Sequence, residues 1–477
     1  MLILTGFSFV ISLFSKQIIF ASLNSYLLFQ YVLFGLIIVN IFSKNDFVEH
    51  TQILLYITAL IALWGIIQFF FPGLFSPYSY LPGKWKVFST FGNPSYLAAF
   101  LAGLIPLSIN NYLQKKSKES FFIALLPILC LLLTFARASW LSIIIVLLFW
   151  ITRIKKIPWF KIVVYSGLII LIITLIIQTH SGFKKHFFNF NSLKGRFFLW
   201  KISAHVMKDH WLVGLGLNQF RCTHFDYQYK MLKTQPQLAQ LYAPFAPVEE
   251  YLHNDFLQIF VELGLIGLII FIYLLYRIFK TAQPYFKKPF SFEFAAFLGL
   301  LALLINALFF FPFYLPPTLL LSMFLLSIIS NQEKTFITFK LHIITKIVLS
   351  SFALLTIFLC FRVGLGDIYL EKGYQALNKN LLNIAYTNFQ QAVHYNPWSG
   401  ENRYFLAKTL YYQKQFPAAL KELTKAELSF RNYYTQALAV FIYHKQGAFI
   451  KNKQLVDYIN KALPGQKITL EYGLSLE

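Results

Sequence analysis

His253 and Asn254 stand where a long polar segment meets a run of apolar residues that begins at Phe256. The run is long enough to cross a bilayer, so the imidazole is expected at a membrane surface. Imidazole changes protonation near neutral pH, and His253 could therefore take a proton from an acceptor hydroxyl as a general base. Asn254 could cap the following helix or orient a ligand. A helix start whose histidine does no chemistry is the alternative interpretation.

Two arginines are candidates for binding an anionic group. Arg137 lies between two apolar runs, where a charge is costly unless it faces water, a partner or a ligand. Snorkelling of its guanidinium to lipid headgroups is an equal alternative. Arg196 stands four residues before Trp200, which places both side chains on one face of a helix. An arginine can hold a phosphate group with two parallel N–H donors, so both arginines are predicted to bind substrate.

The polar segment around Arg196 is predicted to contain a helix that lies along the membrane. This helix extends from Arg196 to Met207, and its apolar face is predicted to include Phe197, Trp200, Ala204 and Met207. The pattern Gly214-Leu215-Gly216 follows. Two glycines could cradle a phosphate, but a simple loop explains so short a pattern at least as well.

Glu262 is a carboxylate deep in the apolar run that follows His253. It lies nine residues beyond the histidine, which is roughly 14 Å along a helix. An acid at that depth in a membrane is functional by default. Pairing with an interior group such as Asn306 for structural reasons is the alternative, and the sequence leaves both open.

The spacing that follows His253-Asn254 resembles a family signature. Nine residues separate Asn254 from Gly264, and Gly267 follows three residues later, which suits close packing along one helix face. The pattern His-Asn, nine residues, Gly-x-x-Gly resembles that of the O-antigen ligase family, which also includes O-antigen polymerases and bacterial protein O-oligosaccharyltransferases.

Further motifs stand in the order that this family has, so that the resemblance covers about residues 90–267. They are the turn Gly92-Asn93-Pro94 before an early span, Arg137, and the segment from Arg196 to Gly216. The family commonly has Ser-Arg-Gly around the first arginine. This chain has alanine on both sides of Arg137, which is a mild departure because the guanidinium is kept.

The resemblance implies transfer of a glycan from a polyprenyl-diphosphate carrier to an acceptor hydroxyl. Arg137 and Arg196 would hold the diphosphate and stabilise the charge that grows on it. His253 would act as general base, and Asn254 and Trp200 would contribute to substrate binding. No metal, cofactor or nucleotide sugar is expected. The acceptor could be a lipid, a glycan or a protein.

Composition places these residues in a membrane protein. The chain has 57% hydrophobic and 19% aromatic residues, and its mean hydropathy is positive, which excludes an ordinary soluble domain. The formal charge of +23 comes from bases scattered through short loops between apolar runs, so nucleic-acid binding is not predicted. The three cysteines are far apart and predict neither a disulfide framework nor a metal site.

An all-α, GT-C-like membrane domain with about eleven transmembrane helices is predicted over residues 1–363. Lys16 interrupts the first span, so residues 1–42 could instead form one span and an interfacial segment. The predicted spans are Leu2 to Phe20, Tyr26 to Phe42, Ile53 to Phe71, Tyr96 to Tyr112, Phe121 to Phe135, Ser139 to Ile151, Ile162 to Gln178, Phe256 to Tyr276, Phe294 to Phe311, Thr318 to Ile329 and Ile343 to Phe361.

Charge in the loops predicts how the domain is oriented in the cytoplasmic membrane. Three basic loops, at residues 115–118, 153–161 and 277–288, alternate so as to share one side, which the positive-inside rule makes cytoplasmic. Arg137, the long loop 179–252 and the C-terminal tail then lie on the non-cytoplasmic side. The long loop is itself basic, which suits an anionic substrate at the membrane surface.

The tail, residues 364–477, has the composition of a soluble helical domain. Ala392 and Ala426 stand 34 residues apart in similar surroundings, and a looser copy ends near Ala462. The period resembles that of tetratricopeptide repeats, helix pairs that stack into a short α-solenoid. Such a tail could rest on the membrane domain or bind a protein partner.

Several other functions remain open at this point. An O-antigen polymerase and a protein O-oligosaccharyltransferase would use the same donor and differ in the acceptor. A transporter for a polyprenyl lipid would use the arginines for binding alone, but the sequence has no internal repeat of spans and no pair of broken helices. A scaffold that recruits envelope proteins through its tail would leave Arg137, Arg196 and His253 without a catalytic role.

Overall fold

The computed structural model describes residues 1–15, 17–71, 87–155, 191–242, 251–331 and 343–462. Throughout these ranges the regular secondary structure is helical, and none of it is β-strand. The helices are α1 (Leu2–Ser12), α2 (Ile18–Ile41), α3 (Lys44–Phe70), α4 (Pro94–Lys115), α5 (Lys118–Leu133), α6 (Arg137–Lys155), α7 (Asn191–Asp209), α8 (Phe220–Thr234), α9 (Pro236–Tyr242), α10 (Asp255–Ala282), α11 (Phe292–Asn306), α12 (Pro316–Ser330), α13 (Ile343–Asn378), α14 (Leu382–Tyr395), α15 (Gly400–Tyr412), α16 (Phe416–Ala426), α17 (Tyr433–Lys445) and α18 (Phe449–Ala462).

Five described helical segments are long and apolar enough to cross a membrane, and α1, α11 and α12 are shorter apolar helices. This agrees with a polytopic membrane protein, while eleven spans remain a prediction. The predicted span from Ile162 to Gln178 lies outside the described residues. The five long segments are Ala21–Ile41, Lys44–Phe70, Pro94–Lys115, Arg137–Lys155 and Asp255–Lys287.

Two of the predicted spans run well past the C-terminal ends of their helices. The first was expected to reach Phe20, but α1 ends at Ser12, where the Ser15 hydroxyl donates to the Ser12 carbonyl at 3.0 Å and closes a turn. The span expected to reach Phe311 ends at Asn306, because the next backbone amides bond three residues back in a tighter turn. Hydropathy alone does not detect either end, since the residues beyond it are largely apolar.

Helix α4 forms the centre of the membrane bundle and contacts α3, α5, α6 and α11. Its residues from Leu97 to Leu107 are almost entirely buried. Gly299 of α11 lies so close to α4 that a Cβ on it would stand 2.2 Å from the Gly103 carbonyl oxygen. Small residues at such a crossing let two helix backbones approach, which is how helices pack inside a membrane.

The two predicted helix starts that contain asparagine are confirmed. Pro94 is the first residue of α4, and the Asn93 side chain accepts a hydrogen bond from the Ser95 amide at 2.8 Å. Asn254 caps α10 in the same way, with its Oδ1 accepting from the Leu257 amide at 3.0 Å.

The basic loops lie at the end of the bundle opposite the Asn93 and Asn254 caps. Gln114 donates to the Phe290 carbonyl at 2.9 Å, and Trp150 donates to the Pro289 carbonyl at 2.7 Å. These bonds join the C-terminal ends of α4 and α6 to the loop after α10. The described parts of the three basic loops, residues 115–118, 153–155 and 277–288, therefore lie at one end of the bundle, and the first turns of α4, α6 and α10 point the other way.

Helix α13 continues without a break across the predicted domain boundary at residues 363 and 364. It has 36 residues, or about 54 Å of helix, and leads directly into the helices of the tail. In the tail, buried residues recur 34 positions apart, at Ala385, Phe389 and Ala392 of α14 and at Ala419, Leu423 and Ala426 of α16. The assignment to tetratricopeptide repeats remains a prediction.

The tail rests on α8 of the long loop. Arg431 Nη1 donates to Asp226 Oδ2 at 3.0 Å, and the Tyr458 hydroxyl donates to the same carboxylate. Gln228 Nε2 of α8 donates to the Ala462 carbonyl at 2.6 Å. Of the two uses that the sequence left open, docking onto the rest of the chain is the one that these contacts display. The tail and α8 therefore share one side of the molecule.

Candidate functional site

Two motif segments meet at a short apolar loop between α11 and α12, residues 307–311, which we call the phenylalanine loop. Arg196 of α7 donates from Nη1 to the Phe309 carbonyl at 2.9 Å. Asn254 donates from Nδ2 to the Leu308 carbonyl at 3.1 Å. Neighbouring backbone carbonyls thus hold residues that are far apart in the sequence.

The turn that contains Arg137 is joined to the root of the same loop. Asn306, the last residue of α11, donates from Nδ2 to the Ser139 hydroxyl at 2.7 Å, and Ser139 is in the first turn of α6. Arg137 begins that turn and its side chain is exposed. The suggestion that Asn306 pairs with Glu262 is wrong, because its amide donates to Ser139 instead.

His253 has an uncommon backbone conformation, with φ at +51°. Non-glycine residues rarely adopt positive φ, histidine does so more readily than most, and a held conformation of this kind is often found at functional sites. Its half-buried ring lies with its centroid 5.2 Å from that of Phe311. Tyr251 stacks on Phe311 at 4.5 Å, so aromatic rings define the position of the imidazole.

Residue Leu252 holds the histidine from the N-terminal side and is completely buried. Its carbonyl accepts from the indole Nε1 of Trp200 at 2.9 Å, and its amide donates to Gln258 Oε1 at 2.8 Å. The spacing of Arg196 and Trp200 thereby has a structural explanation. Arg196 bonds to the phenylalanine loop, and Trp200 bonds to Leu252, the residue before His253.

Helix α7 is present as predicted and extends from Asn191 to Asp209, and the face that packs on the protein lies beside the predicted apolar face. The side chains buried against the protein belong to Phe198, Leu199, Ile202 and Val206, and Ile202 stands three to four residues from each of the others. Phe197 and Ala204, which were expected on the apolar face, are exposed, and Trp200 and Met207 are half-buried. The sequence permits two adjacent apolar stripes, and hydropathy did not distinguish them.

The glycine pattern at residues 214–216 packs against a break in α10. Gly264 has φ +65° and ψ −169°, a conformation outside any helix. A Cβ on Gly264 would stand 2.3 Å from the Leu212 carbonyl, and a Cβ on Gly214 would stand 2.4 Å from the Glu262 carbonyl. The two glycines therefore let two backbones touch, and the close approach predicted for Gly264 involves a loop rather than another helix.

Hydrogen bonds satisfy the backbone groups that the break leaves open. The Gly216 amide donates to the Glu262 carbonyl at 2.8 Å, and the Leu265 amide donates to the Trp211 carbonyl at 2.8 Å. Irregular backbone within a membrane bundle requires such partners. Backbone of α10 lies against Gly214, and the side chains of Ser15, Ala21 and Gln219 lie against Gly216, which agrees with a structural loop and not with a phosphate cradle.

Glu262 is fully buried and accepts three hydrogen bonds. Its Oε2 accepts from the Asn218 amide and from the Tyr314 hydroxyl, both at 2.7 Å, and its Oε1 accepts from Gln258 Nε2 at 2.7 Å. Gln258 also bonds to Leu252. The carboxylate thus joins the long loop, α10 and the turn before α12, and it supports His253 indirectly.

Three contributors to this arrangement were missed by sequence reasoning. Asp255 is fully buried, its amide donates to the Ala307 carbonyl at 2.9 Å, and its Oδ2 accepts from the Phe313 amide at 3.0 Å. Gln258 stands midway between Asn254 and Glu262 on one helix face, a spacing that could have indicated its role. The phenylalanine loop gave no signal, because it acts through backbone carbonyls.

The resulting arrangement can bind an anion and accept a proton. A guanidinium has five N–H donors in a planar fork, and the Phe309 carbonyl takes one of those of Arg196. Backbone anchoring of this kind holds the fork in one orientation. The imidazole of His253 has a ring nitrogen that can accept a proton.

A comparison with protein families finds one match within the chain. Residues 122–272 match the family model described as O-antigen ligase. The matched range contains Arg137, Arg196, Trp200, His253 and Asn254, while Gly92-Asn93-Pro94, the phenylalanine loop and the tail lie outside it. No curated protein matches the chain. The match supports the O-antigen ligase family for residues 122–272 of this helical membrane protein, and with it a glycosyltransferase type of activity.

Proposed function

We propose that this protein transfers a glycan from a polyprenyl-diphosphate carrier to an acceptor hydroxyl on the outer face of the cytoplasmic membrane. The observation that carries the proposal is the sharing of the phenylalanine loop. Arg196 and Asn254 bond to its adjacent carbonyls, and Asn306 at its root bonds to the turn that Arg137 begins. This supports a single site built from three motif segments, at the end of the bundle opposite the basic loops.

The two arginines have the role of binding the diphosphate of the donor. Each guanidinium can form two parallel hydrogen bonds to phosphate oxygens. Negative charge grows on the diphosphate as its bond to the sugar breaks, so cations held in position stabilise the transition state more than the ground state. The Phe309 carbonyl anchors Arg196, which reduces the reorganisation required when the donor binds.

His253 has the role of general base toward the acceptor. It removes the proton of the acceptor hydroxyl as the oxygen attacks the anomeric carbon of the glycan. The bond from that carbon to the diphosphate oxygen breaks, and its electron pair leaves with the polyprenyl diphosphate. The products are the new glycoside, the free carrier and a protonated imidazole, which then releases its proton to solvent.

Asn254 and Trp200 were also predicted to bind substrate, and their contacts favour a positioning role. The Asn254 amide caps α10 and bonds to Leu308, and the Trp200 indole N–H bonds to Leu252. Both side chains therefore use their polar groups within the protein. We propose that they fix the positions of Arg196 and His253 relative to each other. We also propose that the aromatic face of Trp200 contacts the donor.

The related enzymes differ from one another in their acceptor, and a transporter differs from all of them in the movement that it requires. A ligase, a polymerase and a protein O-oligosaccharyltransferase would share Arg137, Arg196 and His253. A transporter would require α10 to move at its break, as broken helices do in transporters. The paired backbone of residues 211–216 and 261–266 argues against such movement.

The proposal is tested by following the carrier-linked glycan in cells that lack the protein. An enzyme of this type leaves carrier-linked glycan on the outer face of the membrane and acceptor without glycan. A transporter leaves the same glycan on the cytoplasmic face, where periplasmic glycosidases cannot reach it. Carrier-linked glycan trapped inside would contradict the proposal, and restored transfer by the wild-type gene is the control.

A further inference from the structure

The tail contains a polar cavity of about 390 Å³ between α16, α17 and α18. This volume is within the range of small-ligand sites. Its wall includes Glu427, Arg431, Gln436, Tyr443, Lys451 and Tyr458. The proposed catalytic residues are not part of its wall. The docking of the tail onto α8 does not by itself account for a cavity with this lining.

The charges that line the cavity are balanced. Arg431 is paired with Asp226 of α8 at 3.0 Å. The Glu427 carboxylate accepts from the Gln436 amide at 2.7 Å, and Lys451 lies with Nζ 5.9 Å from the centre of the Tyr443 ring. Glu427 and Lys451 then remain, and their opposite charges balance. The wall therefore suits a ligand without large net charge. A diphosphate or a highly acidic peptide does not fit this balance.

We propose that the cavity binds a neutral, polyhydroxylated ligand, namely a segment of a saccharide. Amide, carboxylate and ammonium groups match the alternating donors and acceptors of neighbouring hydroxyls. The ring of Tyr443, which lines the cavity beside Lys451, offers an apolar surface to the C–H face of a sugar. The inference rests on the proposed function, which supplies a glycan on the side where the tail docks.

Two residues of the cavity wall also hold the tail on the long loop. Arg431 and Tyr458 line the cavity and both bond to Asp226. A saccharide in the cavity and the docking of α8 are therefore linked, because each biases the position of the same two side chains. Asp226→Asn removes the charge that holds Arg431 in its place on the cavity wall, and we expect saccharide binding to weaken by roughly fivefold.

The experiment uses the full chain in lipid nanodiscs and isothermal titration with the oligosaccharide released by mild acid from the cells' own carrier-linked pool. Wild type binds this probe, and Tyr443→Leu binds it at least about tenfold more weakly, since the ring and its contact with Lys451 are lost. The matched control is Tyr434→Leu, an exposed tyrosine of the same helix that is outside the cavity, and it leaves binding unchanged.

Parallel measurements separate this inference from the proposed function. His253→Ala loses transfer and still binds the released oligosaccharide with wild-type affinity. Binding without any transfer by the wild type would overturn the proposed function alone. Transfer with no binding in the cavity, or equal binding by Tyr443→Leu and wild type, would overturn the inference. Binding of a neutral Ser-Thr-Ala hexapeptide in place of the oligosaccharide would also overturn it and assign the cavity to a peptide.

Discussion

The indole of Trp200 donates a hydrogen bond to the Leu252 carbonyl at 2.9 Å, and this bond ties the helix of Arg196 to the residue before His253. The four-residue spacing of Arg196 and Trp200 sends the two side chains to different targets, the phenylalanine loop and Leu252. The relative position of the proposed anion-binding group and the proposed base thus depends on one helix.

Trp200→Phe tests this positioning role because it keeps an aromatic ring and removes the donor. The buried Leu252 carbonyl loses its partner, at a cost of roughly 1–3 kcal/mol. We expect kcat/KM for glycan transfer to fall about tenfold, with donor affinity little changed. Trp211→Phe is the control, since Trp211 is 54% exposed. Equal activities of the two variants would contradict the role of Trp200.

Arg196→Lys tests whether the geometry of the cation matters as well as its charge. Lysine keeps the positive charge but loses the planar fork that bonds a phosphate bidentately. We expect a loss of at least about tenfold in kcat/KM, nearly as large as that of Arg196→Ala. Lys201→Ala, an exposed cation of the same helix, should retain activity. Full activity of Arg196→Lys would show that a positive charge at this position is sufficient and that the planar guanidinium is not required.

Gly264→Ala tests the break in α10. Alanine is strained at φ +65° and ψ −169°, and its Cβ would stand 2.3 Å from the Leu212 carbonyl. We expect a melting temperature lower by about 5 °C or more in detergent, together with loss of transfer. Gly6→Ala has open space around its Cβ and should melt like the wild type. An unchanged melting temperature of Gly264→Ala would contradict the break in α10.

Topology is tested with cysteines introduced one at a time at Lys194 of α7 and Gln375 of α13, in a chain whose exposed Cys360 is replaced by serine and whose Cys130 and Cys222 are buried. The positive-inside rule and the clustering of the basic loops predict that both positions lie on the non-cytoplasmic side. Both should react with an impermeant thiol reagent in intact cells or spheroplasts. A cysteine at Lys115 is the control and should react only after lysis. Protection of the Lys194→Cys variant until lysis would contradict the proposed orientation.

Much of the local structure around the site could be predicted from the sequence. The helix starts at Pro94 and after Asn254 were predictable, because proline suits the first helical position and asparagine is a favoured N-cap. The helix around Arg196 was predictable from its periodicity. The shared end of the basic loops followed from their alternation along the chain.

Other features depend on tertiary contacts that no local pattern reveals. The phenylalanine loop binds Arg196 and Asn254 through carbonyls, and every residue has one. The spacing of Gly264 and Gly267 suits a continuous helix equally well, so the break in α10 required knowledge of the segment that pairs with it. Docking of the tail depends on Asp226 and Arg431, two ordinary surface residues by sequence.

The central claim is that His253 acts on the acceptor and the arginines act on the donor, and the direct test is His253→Ala. With carrier-linked donor and acceptor supplied to protein in nanodiscs, we expect turnover to fall by about 10²-fold or more, with the donor dissociation constant changed less than about threefold. His205→Ala on α7 is the control and should turn over normally. A folded His253→Ala protein that transfers glycan at the wild-type rate would contradict the claim.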